Sequence, residues 1–185
     1  MNKTFYTISD LEKVTDLSRD SLYVALKRWL DAGILERAAS GIYLPMGSTF
    51  PLENMAAQLY VPNYLSFESA LAKYGVLNLV PYTITFATPR KTRKYTLRKQ
   101  EVEFRQISPS LYFGFEMEHG FYIATPEKAF LDEIYFVARG KTQLDLDEID
   151  TGKLSGKTLN RLSKRFPPYV QKYVKKIVTF REHNT

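Results

Sequence analysis

The chain has 185 residues, 44% hydrophobic and 25% charged, a balance that fits one globular domain or two small ones. It contains no cysteine, which excludes disulfides, cysteine-ligated zinc and a thiol nucleophile. The net charge is +6, and the last 35 residues hold nine basic residues and one acidic residue, which favours a polyanionic partner. No apolar run reaches the length of a membrane span and no signal peptide opens the chain, so we expect a cytoplasmic protein without a membrane partner.

The first 45 residues show a helix, a tight link, a second helix and a hairpin. Ser9 starts a capping box that predicts a short helix, and Ser18 caps a second helix running to about Ala32. Strands at 34–37 and 42–44 follow, and Gly41 between them is free to adopt a positive φ. A leading strand at 5–7 is expected to pair with this hairpin. The order predicts a winged helix-turn-helix over residues 1–46.

In a winged helix the amino-terminal half of the second helix enters the major groove. Its first turns would read base edges, while later cations and the hairpin, or wing, would contact phosphates. The predicted DNA-binding residues are Arg19, Asp20, Ser21, Tyr23, Lys27, Arg28, Arg37 and Ser40. An alternative is a winged helix that docks a protein without specific DNA binding, because residues 1–50 carry no net charge.

After a linker at 46–51, residues 51–185 predict an α+β domain with a small sheet and packed helices. The expected strands lie at 82–86, 102–107, 111–115 and 121–124, and the expected helices at 53–59, 66–74, 126–138, 156–165 and 169–180. The last helix is predicted to bury Ile177. Lys128 and Asp132, four residues apart, are expected to pair on an exposed helix face.

The segment from Arg90 to Lys99 holds six basic residues and one tyrosine. Interleaved basic and aromatic residues suit a nucleic-acid backbone or an acidic protein surface, whereas a solvated hairpin tip that protects a sheet edge explains them equally well. The last helix exposes further lysines. The proposed auxiliary basic surface comprises Arg90, Lys91, Arg93, Lys94, Lys172, Lys175 and Lys176.

Motifs for catalysis are missing: the chain has no glycine-rich phosphate loop, no HExxH and no GxSxG. We therefore expect no enzyme, no cofactor and no metal site, with His119 in a turn and His183 in the tail. One alternative is a metal-dependent nuclease that uses Glu68, Glu101 and Glu103. Period-2 spacing places Glu101, Glu103 and Arg105 on one strand face, which also fits a solvent-exposed face.

Several segments carry a family resemblance that spans residues 6–176. The more specific ones are Ser-Phe-Glu-Ser-Ala-Leu at 66–71 and Ala-Thr-Pro-Glu-Lys-Ala at 124–129, and Thr-Ile-Thr-Phe-Ala-Thr at 83–88 lies between them. The weaker ones are Ile-Ser-Asp-Leu at 8–11, Leu-Ser-Arg at 17–19, Leu-Asp-Ala-Gly-Ile-Leu at 30–35 and Gly-Ile-Tyr at 41–43. In this order the segments resemble the AbiEi-type antitoxins of type IV abortive-infection toxin–antitoxin systems.

The resemblance implies two activities. The winged helix would bind inverted repeats in the promoter of its own operon and repress transcription. The carboxyl-terminal domain would neutralise a co-encoded nucleotidyltransferase-like toxin, without a stable complex between the two proteins. The family has no accepted catalytic residues, so the resemblance assigns none to this chain.

Overall fold

The computed structural model describes the backbone of residues 4–182 and the side chains of residues 4–176 except residue 146. The predicted positions Ile177 and His183 lie outside these described side chains. The chain is mixed α+β, as expected, with one three-stranded and one six-stranded sheet.

The three-stranded sheet packs with a pair of helices. Its elements in chain order are β1 (Tyr6–Thr7), α1 (Ile8–Thr15), α2 (Arg19–Asp31), β2 (Leu35–Ala39) and β3 (Ile42–Pro45). The strand order is β1-β3-β2 and both pairings are antiparallel, which confirms that the leading strand joins the hairpin. Gly41 in the β2–β3 turn has φ 72°, a conformation that costs glycine little.

Side-chain caps fix the helix starts. The predicted cap Ser9 is wrong, because the Thr7 hydroxyl accepts the Asp10 N–H at 3.3 Å while the Asp10 carboxylate accepts the Thr7 N–H at 2.8 Å. This capping box therefore starts α1 two residues earlier than the sequence analysis placed it. Ser18 caps α2 as predicted, accepting the Ser21 N–H.

The six-stranded sheet is mixed, with strand order β6-β7-β5-β4-β9-β8. Its strands are β4 (Tyr64–Leu65), β5 (Thr83–Thr88), β6 (Arg93–Leu97), β7 (Gln100–Gln106), β8 (Phe115–Glu118) and β9 (Phe121–Ala124). The helices of this part are α3 (Leu52–Ala57), α4 (Phe67–Lys73), α5 (Pro126–Val137), α6 (Gly156–Ser163) and α7 (Pro168–Glu182). The predicted strand at 111–115 is wrong: a short 3-10 turn, Pro109–Leu111, leads instead into β8.

Alternate residues of β7 face two different layers. Phe104 stacks on Phe86 and meets the Tyr60 ring edge-on at 5.5 Å. Arg105 points to the opposite face, where its guanidinium lies 5.0 Å from the Phe67 ring of α4. The period of two thus places helices α4 and α5 on one side of the sheet and Tyr60 on the other.

Helix α5 occupies the centre of this part of the molecule. The sequence predicts one buried face, but all residues from Lys128 to Phe136 are buried. Helices α4, α6 and α7 and strand β9 pack around it, so few positions of the helix are left for solvent.

The two sheets share one apolar core. Ala38, Ile42 and Leu44 of the first sheet, and Phe5 just before β1, are buried in the same apolar cluster as the core residues of the larger sheet. A second, smaller cluster holds α1 and α2 onto β3 through Leu11, Leu22, Leu26 and Tyr43. The hairpin is therefore packed on both sides, by the helix pair and by the main core.

Candidate nucleic-acid interface

Helix α2 is amphipathic, with one face buried by the small core and the other free. Leu22 and Leu26 are fully buried, four residues apart on one side. The rest of the helix surface exposes Asp20, Ser21, Tyr23, Lys27 and Arg28, and Arg19, three residues before Leu22, is exposed in the first turn beside α1. These six are all the α2 residues predicted to bind DNA. The Tyr23 residue is 52% exposed, so its ring and hydroxyl are available to a ligand.

Two residues of this face already have local partners. The Arg19 guanidinium lies 3.5 Å from the Glu12 carboxylate of α1, with the arginine side chain two-thirds exposed. The Ser21 hydroxyl accepts a hydrogen bond from the Ser18 hydroxyl at 3.0 Å. An exposed ion pair of this kind is worth less than about 1 kcal/mol, so Arg19 can exchange Glu12 for an external anion at little cost.

The β2–β3 hairpin presents the remaining predicted residues. Arg37 and Ser40 are both exposed, and the Arg37 guanidinium donates to the Ser40 hydroxyl at 3.4 Å. The α2 face and the hairpin belong to one packed unit, since Tyr43 of β3 is buried beside Leu22 and Leu26.

The Arg90–Lys99 segment is an edge strand and its two flanks, and its cations divide between the faces of the sheet. Arg90 and Arg93 both cover the Tyr60 ring, with guanidinium carbons 4.2 and 5.0 Å from its centroid. Lys94 points the other way and lies 3.5 Å from the Glu103 carboxylate. Lys91 is exposed in the loop before β6. The basic residues that are contiguous in the sequence therefore lie on separate surfaces. Arg90 and Arg93 share the sheet face of the Tyr60 ring, and Lys94 lies on the other face.

The turn that follows β6 lies against the β2–β3 hairpin. The Arg98 N–H donates to the Ala38 carbonyl at 2.9 Å, and the Arg98 guanidinium pairs with Glu36 and donates to the Ser48 carbonyl at 2.8 Å. Arg98 therefore ties the second part of the chain to the hairpin predicted as the wing.

The lysines of α7 form a separate surface. Lys172, Lys175 and Lys176 are exposed on a helix that packs against α5 and α6. Their neighbours Val170 and Val174 are buried, as predicted. The auxiliary residues named from the sequence thus lie on different elements and not on one continuous helix face.

Sequence reasoning missed a buried ionic cluster around Arg105. The spacing of this residue along its strand had fitted a solvent-exposed face, but Arg105 is buried. Its guanidinium donates to both oxygens of Glu68 at 3.0 and 2.8 Å and to Glu103 at 2.9 Å. Glu133 of α5 completes the cluster, with one oxygen 3.6 Å from Arg105 and the other accepting the Thr142 hydroxyl at 2.8 Å. Burial, together with the negative charge of Glu68, raises the pKa of Glu133 from 4.5 to about 7.

This cluster bears on the nuclease alternative. Both oxygens of Glu68 accept from Arg105, and the two oxygens of Glu103 are paired with Arg105 and Lys94. Glu101 is exposed and accepts the Thr83 hydroxyl at 3.2 Å. Within the described part of the chain, no three carboxylate, histidine or cysteine side chains are grouped so that they could hold a metal ion. The arrangement joins strand β7 to helices α4 and α5 through one guanidinium.

The predicted exposed pair Lys128–Asp132 is wrong, because both side chains are fully buried. The Lys128 ammonium pairs with Asp132 and donates to the Tyr64 hydroxyl at 2.8 Å, and the Tyr64 and Ser66 hydroxyls each donate to Asp132 at 2.9 Å. The Phe113 and Phe166 rings approach the ammonium within 5.0 and 5.2 Å. Burial lowers the pKa of Lys128 and raises the pKa of Asp132.

The Ser-Phe-Glu-Ser segment at 66–69 and helix α5, which begins with Pro-Glu-Lys-Ala at 126–129, therefore contact each other. Ser66 begins the helix expected at 66–74, but its hydroxyl donates to Asp132 of α5 and caps no backbone group of α4. Glu68 of the same segment reaches Arg105, which also faces Glu133. The sequence signal that could have indicated this meeting is the central position of Lys128, Asp132 and Glu133 among apolar residues of α5.

Comparison of the sequence with protein-family models and with curated proteins finds no match in either. Over the residues that the structure describes, no helix has both the length and the apolar character needed to cross a bilayer.

Proposed function

We propose that this chain is a cytoplasmic DNA-binding autorepressor that serves as the antitoxin of a toxin–antitoxin operon. In this proposal α1, α2 and the β2–β3 hairpin act as a winged helix-turn-helix, with α2 in the major groove. The observation that carries it is the free face of α2. Its amino-terminal half exposes arginine, aspartate, serine and tyrosine side chains while the opposite face is held by a core of its own.

The chemistry of this face suits base reading followed by phosphate contact. Tyr23, Asp20 and Ser21 offer donors and acceptors to base edges, and Arg19 offers a guanidinium that is only weakly paired. Lys27 and Arg28 lie one turn further along, where cations contact phosphates. Phosphate affinity is sequence-independent, so the first group would give specificity and the second would give strength.

The antitoxin part of the proposal rests on the sequence resemblance of residues 66–71, 83–88 and 124–129. It assigns the chain a nucleotidyltransferase-like toxin as functional partner, without a stable complex. The test is growth of cells that express such a toxin from the neighbouring gene, with and without this chain. Growth restored by the full chain supports the antitoxin role, and continued arrest contradicts it while leaving the repressor role open.

The repressor role is tested by binding to DNA from its own promoter. The purified chain should prefer the roughly 200 base pairs upstream of its gene to a scrambled duplex by a thousandfold or more at about 150 mM salt. Equal weak binding to both duplexes would contradict sequence-specific repression and favour the protein-docking alternative.

Matched tyrosine variants locate the reading surface. Tyr23→Ala should lower operator affinity by about 1–3 kcal/mol, which is about five- to 150-fold, if its side chain reads a base. Tyr82→Ala removes a tyrosine that is also exposed, in the loop before β5, and should leave operator affinity unchanged. Equal effects of the two substitutions would remove α2 from the reading surface.

A further inference from the structure

An open groove lies between the β2–β3 hairpin and the two-residue turn that joins β6 to β7. Its volume is about 520 Å³. The hairpin contributes Glu36, Arg37 and Ser40, and the second part of the chain contributes Thr96, Arg98 and Lys99. Two segments that are 60 residues apart in sequence therefore form the walls of one cleft.

The groove carries two positive charges that no carboxylate neutralises. Arg98 is paired with Glu36, so these two side chains cancel. Arg37 donates only to the Ser40 hydroxyl, and Lys99 is exposed. Among the described side chains neither Arg37 nor Lys99 has an acidic partner. Beside the Arg98–Glu36 pair, an anion that enters the groove would therefore meet the Arg37 guanidinium, the Lys99 ammonium and the hydroxyls of Ser40 and Thr96.

The walls of the groove are held in place. Two hydrogen bonds join the β6–β7 turn to the hairpin segment: the Arg98 N–H donates to the Ala38 carbonyl, and the Arg98 guanidinium donates to the Ser48 carbonyl. Ala38 is itself buried in the main core. The two unpaired cations thus project from elements that cannot separate without breaking these contacts, so the site is organised before a ligand arrives.

The β6–β7 turn has a backbone that its residues do not favour. Leu97 pairs with Gln100, which leaves Arg98 and Lys99 as the turn, at φ 48° and 68°. Turns with two positive φ values strongly prefer asparagine and glycine, because a side chain at such a position is strained. The contacts of the Arg98 guanidinium with Glu36 and with the Ser48 carbonyl offset the strain at Arg98. In the described part of the chain no such contact holds the exposed Lys99 side chain, so it adds strain without stabilising the fold.

We propose that this groove binds a phosphate of the DNA backbone, through the Lys99 ammonium, the Arg37 guanidinium and the Ser40 hydroxyl. The inference rests on the proposed DNA binding and extends the DNA surface from the hairpin onto the second part of the chain. The groove is open rather than enclosed, which suits one phosphate of a continuous strand. A phosphate contact is independent of base sequence and sensitive to salt.

Three substitutions of Lys99 in the full chain test this site, with affinity measured on operator and scrambled duplexes between about 50 and 200 mM salt. Lys99→Gln and Lys99→Gly should weaken binding to both duplexes by the same factor, about three- to tenfold. Each should lower the slope of log affinity against log salt by about 0.9, the value for one phosphate contact. Lys99→Arg keeps the charge and should bind as the unchanged chain does.

Thermal unfolding of the same proteins separates binding from folding. Lys99→Gly removes the strain at φ 68°, so its melting temperature should rise, whereas Lys99→Gln keeps the strain and should melt as the unchanged chain. Lys157→Gln removes an exposed cation from α6 and should change neither quantity. A glycine variant that is more stable and yet binds DNA more weakly identifies a residue kept for its ligand.

Two results would overturn the phosphate site. One is an unchanged salt slope and affinity in Lys99→Gln and Lys99→Gly. The other is a loss confined to the operator duplex, since that would indicate base reading. Failure of the proposed function looks different, because the unchanged chain itself would then show no operator preference, while the salt slope on scrambled DNA would still report the Lys99 contact.

Discussion

Replacing Glu133 by glutamine should change the pH dependence of stability. Glu133 is fully buried between Arg105 and Glu68, and its pKa is raised from 4.5 to about 7. Glutamine is neutral at every pH, has nearly the same shape and keeps an oxygen that can accept the Thr142 hydroxyl. Arg105 retains Glu68 and Glu103 as partners. Glu133→Gln therefore mimics the protonated form of the side chain with little other change.

The sign and size follow from proton linkage. The folded-state pKa lies above the unfolded one, so the folded protein binds more protons between pH 4.5 and about 7. The contribution of Glu133 to stability is therefore complete below pH 4.5 and is lost as the pH rises through 7. Each pKa unit corresponds to about 1.4 kcal/mol, which gives a loss of up to about 3 kcal/mol at pH 8.

Urea unfolding between pH 4 and pH 8.5 measures this loss. The Glu133→Gln and unchanged proteins should be equally stable near pH 4, and the variant should be more stable by up to about 3 kcal/mol at pH 8. Glu116→Gln removes an exposed carboxylate on β8 and should leave the profile parallel to that of the unchanged protein. A difference between the Glu133→Gln and unchanged proteins that stays constant across the pH range would refute the reasoning.

Three further substitutions test the described contacts by urea or thermal unfolding. Lys128→Met leaves the buried Asp132 carboxylate without its cation and should cost about 3–5 kcal/mol; a loss below about 1 kcal/mol would contradict a buried ion pair. Tyr64→Phe removes the hydroxyl that bridges both members of the pair and should cost about 1–3 kcal/mol, whereas an unchanged midpoint would argue against that bridge. Ser18→Ala removes the cap on Ser21 and should cost about 1 kcal/mol, and no loss would mean that the cap is dispensable.

Local signals predicted the amino-terminal elements well because their causes are local. Ser18 and Gly41 mark a helix start and a hairpin turn through their own backbone chemistry, so position in sequence is sufficient. The error at Ser9 has the same origin, since Thr7 and Asp10 form an equally good capping box two residues earlier. Choosing between the two boxes requires the pairing of Thr7 with Ile42, which is a long-range contact.

The two buried ionic clusters were outside the reach of sequence patterns. A lysine and an aspartate four residues apart have the same spacing on a wet helix face and in a core. What buries Lys128 and Asp132 is Tyr64 and Ser66, more than 60 residues earlier in the chain. Arg105 was misplaced for the same reason, because alternation along β7 indicates which residues share a face but not which face the helices cover.

The candidate DNA surface also has one part that the sequence predicted and one part that it did not. The exposure of Asp20, Ser21, Tyr23, Lys27 and Arg28 followed from the helical period of α2, whereas Arg19 is exposed because it lies in the first turn. The groove beside Lys99 did not follow, because it exists only where the β2–β3 hairpin meets a turn from the other sheet. Arg37 was visible in the sequence as a hairpin residue and Lys99 as part of a basic cluster, but the sequence did not show that they line one groove.

The apolar core shared by the two sheets limits how this molecule could be taken apart or recombined. One face of the hairpin, formed by Ala38, Ile42 and Leu44, packs in the apolar core of the larger sheet. Residues 1–46 expressed alone would therefore expose an apolar surface to water. A different outward surface can be given to α2 by exchanging its exposed residues alone, because Leu22 and Leu26 hold the helix in place. A transplant of the whole segment would have to carry its matching partner surface with it.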